Sequence, residues 1–253
     1  CTIGIDIGTT STIGVLLNTK SNKVLFQCSR SVELYSQKSG WAEEEPEEGW
    51  KNTISILQEI GKFSQNKNIK INSIGVTGML PALVILDKNN KVIRRSIQQS
   101  DSRTDKELKS IFKKKSQKLN FTKITKCGVN QQLIAPKVLW LKNNEPNSYK
   151  KINKIMGSYD YINFKLTGNF NIEHNWALES GLMDFKSKTF TPNLLKLGKI
   201  KSSWMPNISS SEKIIGNLKK SIAKVTNLPE NIPIIAGCVD HIVSAFIAGV
   251  KKS

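Results

Sequence analysis

Apolar and polar positions alternate at the start of the chain: Ile3, Ile5 and Ile7 are interleaved with Gly4, Asp6 and Gly8. This period of two predicts a strand with one apolar face, and it places Asp6 on the other face. A first strand is expected over Thr2 to Ile7, a second over Thr12 to Asn18 and a third over Lys23 to Ser29, with a tight turn at Lys20 to Asn22. Because the chain returns as a strand at Thr12, Gly8 to Ser11 is the tip of a hairpin rather than a strand-to-helix loop. Pro46 followed by Glu47 and Glu48 is the opening of a helix, and Trp50, Ile54, Leu57 and Ile60 recur at helical spacing behind it. That helix should cover the sheet. Ile71 to Thr77 reads as the next strand, ending at Gly78, and Ala82 to Leu86 with Lys91 to Ile93 reads as a hairpin turning through Asp87 to Asn90.

Three strands, a helix and a further strand follow the ribonuclease-H-like order. The middle of the chain is mostly helical, with helices expected over Arg103 to Lys115, Ala135 to Asn144, Tyr149 to Ile155 and Tyr159 to Leu166, punctuated by Pro146 and Gly168. Phe185 to Glu212 is looser and polar, and a helix is expected from Asn217 to Thr226. The sheet resumes at Ile232 to Ala236, and Gly237 to Asp240 turns. Ile242 to Val250 is apolar on nearly every side, so as a helix it should be buried against something.

At 253 residues the chain is long enough to bury a sizeable core as one large domain or two small ones. No run approaches the roughly 20 apolar residues of a membrane span, and no charged and apolar leader precedes the first strand. The missing initiator Met, and an end at Lys251 to Ser253 directly after an apolar helix, suggest an excised piece. Four scattered cysteines without metal-type spacing suit a reducing, cytoplasmic setting without disulfides. A net charge of +18 raises nucleic-acid binding. The lysines, however, are spread along the chain among many asparagines. Their one dense run, Lys106 to Lys126, has the spacing of a surface helix, and few aromatics are interleaved for base stacking. A general Lys and Asn bias explains the charge better than a nucleic-acid site does.

Two places carry candidate chemistry. Gly8 permits a close backbone approach, and Thr9, Thr10 and Ser11 add hydroxyls and N–H groups beside Asp6, a set suited to phosphate. An ordinary hairpin with a solvated carboxylate fits the same residues. Asp240 stands where the closing helix begins, and by itself it reads as an N-cap. His174 reads as a loop residue and Trp50, Trp140 and Trp176 as packing, whereas Trp41 stands beside the acidic run and is a candidate pocket wall.

With these pieces in order, the chain resembles the N-terminal domain of the FGGY family of carbohydrate kinases, most closely its xylulose-kinase-like branch. The resemblance runs from end to end. It rests on IGIDIGTTST at 3–12, GWAEEEPEEGW at 40–50, IGVTGMLPALVILD at 74–87, SIQQSDSR at 96–103, APKVLWLKNNEP at 135–146 and PIIAGCVDHIVSAFIAG at 233–249. It implies an α/β, ribonuclease-H-like domain of the actin and hexokinase type, with a mixed five-stranded sheet and flanking helices. It also implies a C-terminal domain not contained in this chain, ATP and Mg²⁺ as cofactors, and a small sugar or polyol as substrate. No membrane or nucleic-acid partner is implied, and a homodimer is compatible with it. Asp6 matches the family's Mg²⁺-associated carboxylate, Gly8, Thr9, Thr10 and Ser11 the first phosphate loop, and Asp240 the general base. The sugar pocket departs from the familiar pattern. Met79, Leu80 and Pro81 replace a Gln-Met-His run, Gln99, Ser100 and Asp101 replace Trp-Asn-Asp, and His241 replaces the Asn that follows the base. Gln98 or Gln99, with Gln132, would supply amide contacts to sugar hydroxyls. Glu173 falls where relatives place an Asp-containing loop near the sugar. Such changes keep a pocket but alter which hydroxyl pattern it accepts.

Overall fold

The structure is a computed structural model that describes residues 1–250. Its centre is a six-stranded sheet. β1 (Thr2–Ile7), β2 (Ser11–Asn18) and β3 (Lys23–Ser31) form the expected antiparallel meander. After the short β4 (Glu43–Glu44), Pro46 opens α1 (Pro46–Asn66), and β5 (Ser73–Gly78) returns parallel to β1. Ile3, Ile5, Ile7 and Leu16 from the sheet and Ile56, Leu57 and Ile60 from α1 are all buried in one core. The period-two and helical patterns therefore meet as their apolar faces required.

The next segment is irregular: β6 (Val84–Leu86), β7 (Ser96–Ile97), α2 (Asp105–Ile111), α3 (Lys115–Thr125), α4 (Ile134–Asn144), α5 (Pro146–Lys151) and β8 (Lys154–Met156). Two expectations are corrected here. The Arg103 to Lys115 helix ends at Ile111, because Phe112 turns into a small satellite core with Phe121, Leu133 and Leu194. The Tyr149 to Ile155 helix ends at Lys151, because residues 154–156 pair instead with β6. The turn after β6 is present, with Asp87 Oδ1 accepting the N–H groups of Asn89 and Lys91.

The chain then runs through α6 (Ser158–Thr167), β9 (Asn171–Glu173), α7 (His174–Glu179), β10 (Met183–Asp184), β11 (Thr189–Phe190), α8 (Pro192–Leu197) and β12 (Asn207–Ser209). It closes with β13 (Ile214–Asn217), α9 (Lys220–Thr226), β14 (Pro233–Val239) and α10 (Asp240–Ile247). The sheet order is β13-β14-β5-β1-β2-β3. The sixth strand is β13, an antiparallel edge partner of β14. Of its residues only Asn217 falls in an expected element, the Asn217 to Thr226 helix, which instead starts at Lys220.

β14 extends to Val239 through a bulge between Ile235 and Cys238, so the predicted turn at Gly237 is a strand irregularity. α10 differs most from expectation. Its apolar side chains are not buried: Phe246 and Ile247 are each 78% exposed. Residues 1–250 supply no cover for them. Lys251 to Ser253, on which the reading of the chain's end partly rested, lie outside the described residues. No helix among the described residues is long and apolar enough to cross a membrane.

Candidate active site

The hairpin tip between β1 and β2 is closed by Gly8 N–H donating to Ser11 O at 3.1 Å. Just before it, Asp6 points away from α1, on the sheet face opposite Ile5 and Ile7. Gly4, Asp6, Gly75, Thr77, Gly237 and Cys238 floor a groove of about 650 Å³, which Ile242, Val243 and Phe246 of α10 wall on one side. The glycines leave the backbone of three adjacent strands open to whatever enters this groove.

Asp240 is the first residue of α10, at the C-terminal end of β14. Parallel pairing of β1 with β5 and of β5 with β14 brings this end beside the end of β1. Asp6 and Asp240 thus come together from opposite ends of the sequence. Burial pushes the Asp6 carboxyl above its ordinary value, and the charge of Asp240 pushes it further. Asp240 is not an N-cap. The cap position belongs to Val239, and Asp240 Oδ1 accepts only the amide of its neighbour His241, at 2.6 Å. At this position its charge faces the positive end of the helix.

Asp6 Oδ1 is buried without a hydrogen-bond partner. An orphaned carboxylate oxygen on a residue that lines the groove fits a cation or its water shell. No group of three or more His, Cys, Asp or Glu that would cage a metal exists among the described residues. A single carboxylate with a free oxygen is compatible with Mg²⁺, which keeps several waters and takes one or two carboxylates along with phosphate oxygens.

Two of the residues expected at the sugar pocket, Leu80 and Asp101, are buried, whereas Met79, Gln99 and Gln132 keep partial exposure. Met79 follows β5 beside the end of β1, its N–H donating to Ile7 O at 3.4 Å, and it remains half-buried. Leu80 is 1% exposed and belongs to the core, so it offers no surface to a sugar. Asp101 is fully buried with both oxygens engaged: Oδ2 accepts the Ala42 amide (2.6 Å) and the Arg103 guanidinium (2.7 Å), and Oδ1 accepts the Arg103 amide (3.0 Å). It is a clamp for the Gly40–Glu44 segment rather than a hydroxyl partner. Gln98 is also buried, donating to Ser96 Oγ. Gln99 and Gln132 are half-buried, and Gln132 N–H makes a local turn contact to Asn130 Oδ1 (2.9 Å). Trp41 stacks under the Arg103 guanidinium, 3.7 Å from ring centroid to cation, and edge-on to Trp140.

Further residues organise the site, and among them Glu179, Asn175 and Ser211 carry no signal in their local pattern. Glu173 is fully buried yet fully occupied, accepting from Tyr159 Oη (2.8 Å), Ser211 Oγ (2.7 Å) and the Asn175 amide (2.9 Å). It caps α7 and ties that helix to the segment leading into β13. Trp176 is fully buried as expected, with its indole N–H donating to Ala82 O at 3.2 Å. His241 Nε2 lies 3.0 Å from Glu179 Oε1, and His241 Nδ1 lies 3.5 Å from Asp240 Oδ1. His174 is half-buried at the start of α7.

The model of the N-terminal domain of the FGGY family of carbohydrate kinases matches residues 1–247. The xylulose kinase of Bacillus subtilis is 30% identical over 251 residues, which are 99% of this chain and 50% of that protein. The xylulose kinase of Staphylococcus xylosus is 32% identical over 250 residues, 98% of this chain and 50% of that protein. The crystal structure of xylulose kinase from Rhodospirillum rubrum superposes with a TM-score of 0.95 at 39% identity, covering 99% of this chain and 52% of that one. The chain spans about half the length of the relatives it matches.

Proposed function

The chain belongs to the FGGY family of carbohydrate kinases, and from that premise we propose that it is the N-terminal, sugar-binding half of an ATP-dependent kinase acting on xylulose or a related pentulose. A C-terminal domain completes the cleft and covers the apolar side of α10. Such an enzyme acts in the cytoplasm, where ATP and small sugars meet. The observation that carries the reading is the convergence of Asp6 and Asp240 at the ends of β1 and β14, beside the Gly8–Ser11 turn.

In this reading Asp240 accepts the proton of the attacking hydroxyl as its oxygen bonds to the γ-phosphorus, while the bond from that phosphorus to the β,γ-bridging oxygen breaks and ADP leaves. The base's role is worth roughly 10²- to 10⁴-fold in rate. Gly8, Thr9, Thr10 and Ser11 hold the nucleotide phosphates through backbone N–H and hydroxyl groups. Asp6 would hold Mg²⁺, directly or through an intervening water. The ion, when bound, neutralises charge on the transferring phosphoryl group. Met79, Gln99 and Gln132 remain the candidate sugar contacts, reached when the two domains close.

The test is a calorimetric screen of ketoses, aldoses and polyols, followed by phosphorylation assays on the full-length kinase with ATP. A pentulose should bind and be phosphorylated, and Asp240→Asn should abolish turnover while sugar binding survives. The 253-residue chain alone should not turn over. An Asp240→Asn enzyme with undiminished kcat would overturn the assignment.

A further inference from the structure

α10 carries the proposed base on its first residue, yet little within residues 1–250 holds the helix in place. Ile242, Phe246 and Ile247 are exposed, and the helix otherwise continues from β14. Its first turn is fastened at one point. His241 Nε2 reaches Glu179 Oε1 at 3.0 Å, while the other ring nitrogen faces Asp240 Oδ1 at 3.5 Å.

Glu179 is in turn held on a rigid element. It ends α7, a helix capped by the buried Glu173 carboxylate, pinned by the buried Trp176 and joined to β14 by Asn175 Nδ2 at 3.3 Å from Cys238 Sγ. The imidazole therefore lies between two carboxylates, one at the end of the capped helix α7 and the other at the start of α10. With Nε2 engaged by Glu179, only Nδ1 faces Asp240, so the ring's orientation is set by its far partner.

We propose that Glu179 and His241 form a positioning pair for the Asp240 carboxylate: Glu179 orients the imidazole, and the imidazole holds Asp240 Oδ1 so that Oδ2 faces the sugar hydroxyl. This rests on Asp240 being the base. The imidazole reaches both carboxylates from one position, at 3.0 Å from Glu179 Oε1 and 3.5 Å from Asp240 Oδ1. The pair is thus a feature of this chain's own residues. It acts through Asp240 and need not touch substrate.

The experiment is a double-mutant cycle on the full-length kinase with Glu179→Gln, His241→Ala and the double variant, read as kcat and sugar KM together with the thermal midpoint. Each single variant should lose about 10- to 100-fold in kcat, as a misplaced base does. KM and the thermal midpoint should stay close to those of the parent. The double variant should be no worse than His241→Ala, because Glu179 acts only through the ring. Additive losses, or unchanged kcat in either single variant, would overturn the pair. Losses of KM and thermal midpoint in step with kcat would also overturn it, showing a merely structural contact. Asp240→Asn in the same assay separates the two levels. If it kills turnover while the pair variants do nothing, only this inference fails; if it leaves turnover intact, the assignment of the base itself fails.

Discussion

A Cβ placed on Gly237 would stand 1.7 Å from the carbonyl oxygen of Val76 on the neighbouring strand. Gly237 also has φ +81°, a left-handed conformation that side chains resist. It lies in the bulge that shifts β14 against β5, and just beyond it Thr77 Oγ1 donates to Cys238 O at 2.6 Å. The bulge sets where β14 ends and hence where Asp240 starts α10. Gly237→Ala should cost on the order of 1–3 kcal/mol through backbone strain alone and more through the clash. In protein that still folds, kcat should fall about 100-fold. Urea unfolding and steady-state kinetics on the same preparation check both parts.

Arg103 is the cation of a buried cluster. Its side chain is 1% exposed, pairs with Asp101 and Glu43 at 2.7 Å each, and stacks on Trp41. Arg94 joins the same Glu43 carboxylate. Arg103→Met keeps the volume but leaves the fully buried Asp101 without its cation, which typically costs about 3–5 kcal/mol. Denaturant titration should show a lower midpoint with little change in slope. Arg103→Lys should recover only part of the loss, since one ammonium cannot replace a planar fork.

Glu44 should make stability fall with rising pH. Burial, then the charge of Glu48, push its carboxyl up to about 8 from 4.5, and Oε1 has no partner. The folded state therefore binds this proton more tightly than the unfolded chain does. The resulting stability is complete below pH 4.5 and is lost as pH rises through about 8. Glu44→Gln should flatten this slope and leave the variant more stable than the parent at pH 9. Unfolding free energies at pH 5, 7 and 9 decide it.

Lys137 should act with the opposite sign over a higher window. It is completely buried, donates to Pro81 O at 3.0 Å and Gln98 O at 2.9 Å, and burial lowers it to about 7 from 10.5. Below about 7 the folded state must carry the buried charge. That cost is relieved as pH rises from about 7 towards 10.5, so this residue makes stability increase there. Lys137→Met removes the slope but leaves two buried carbonyls unpaired, at about 1–3 kcal/mol. The variant should fall furthest below the parent at pH 9 and least at pH 6, as urea unfolding at both values would show.

The local pattern alone was enough for the β1–β3 meander, for α1 opening at Pro46, and for the strand ending at Gly78. Each is written in side-chain periodicity or in a cap that acts over a few residues. The same held for the glycine turn beside Asp6, and the ordered motifs from 3 to 249 carried the family. β8 and β13 were illegible, because three- and four-residue strands exist only through the partners they pair with, β6 and β14. The sequence also offered Leu80 and Asp101 as sugar contacts, and only the three-dimensional arrangement showed one in the core and the other consumed by Arg103. Most of all, residues 6 and 240 meet, and residues 179 and 241 touch, through strand order and helix docking. Periodicity fixes which face a side chain takes, but which faces come together depends on contacts between segments far apart in the chain, and those are settled only when the sheet closes.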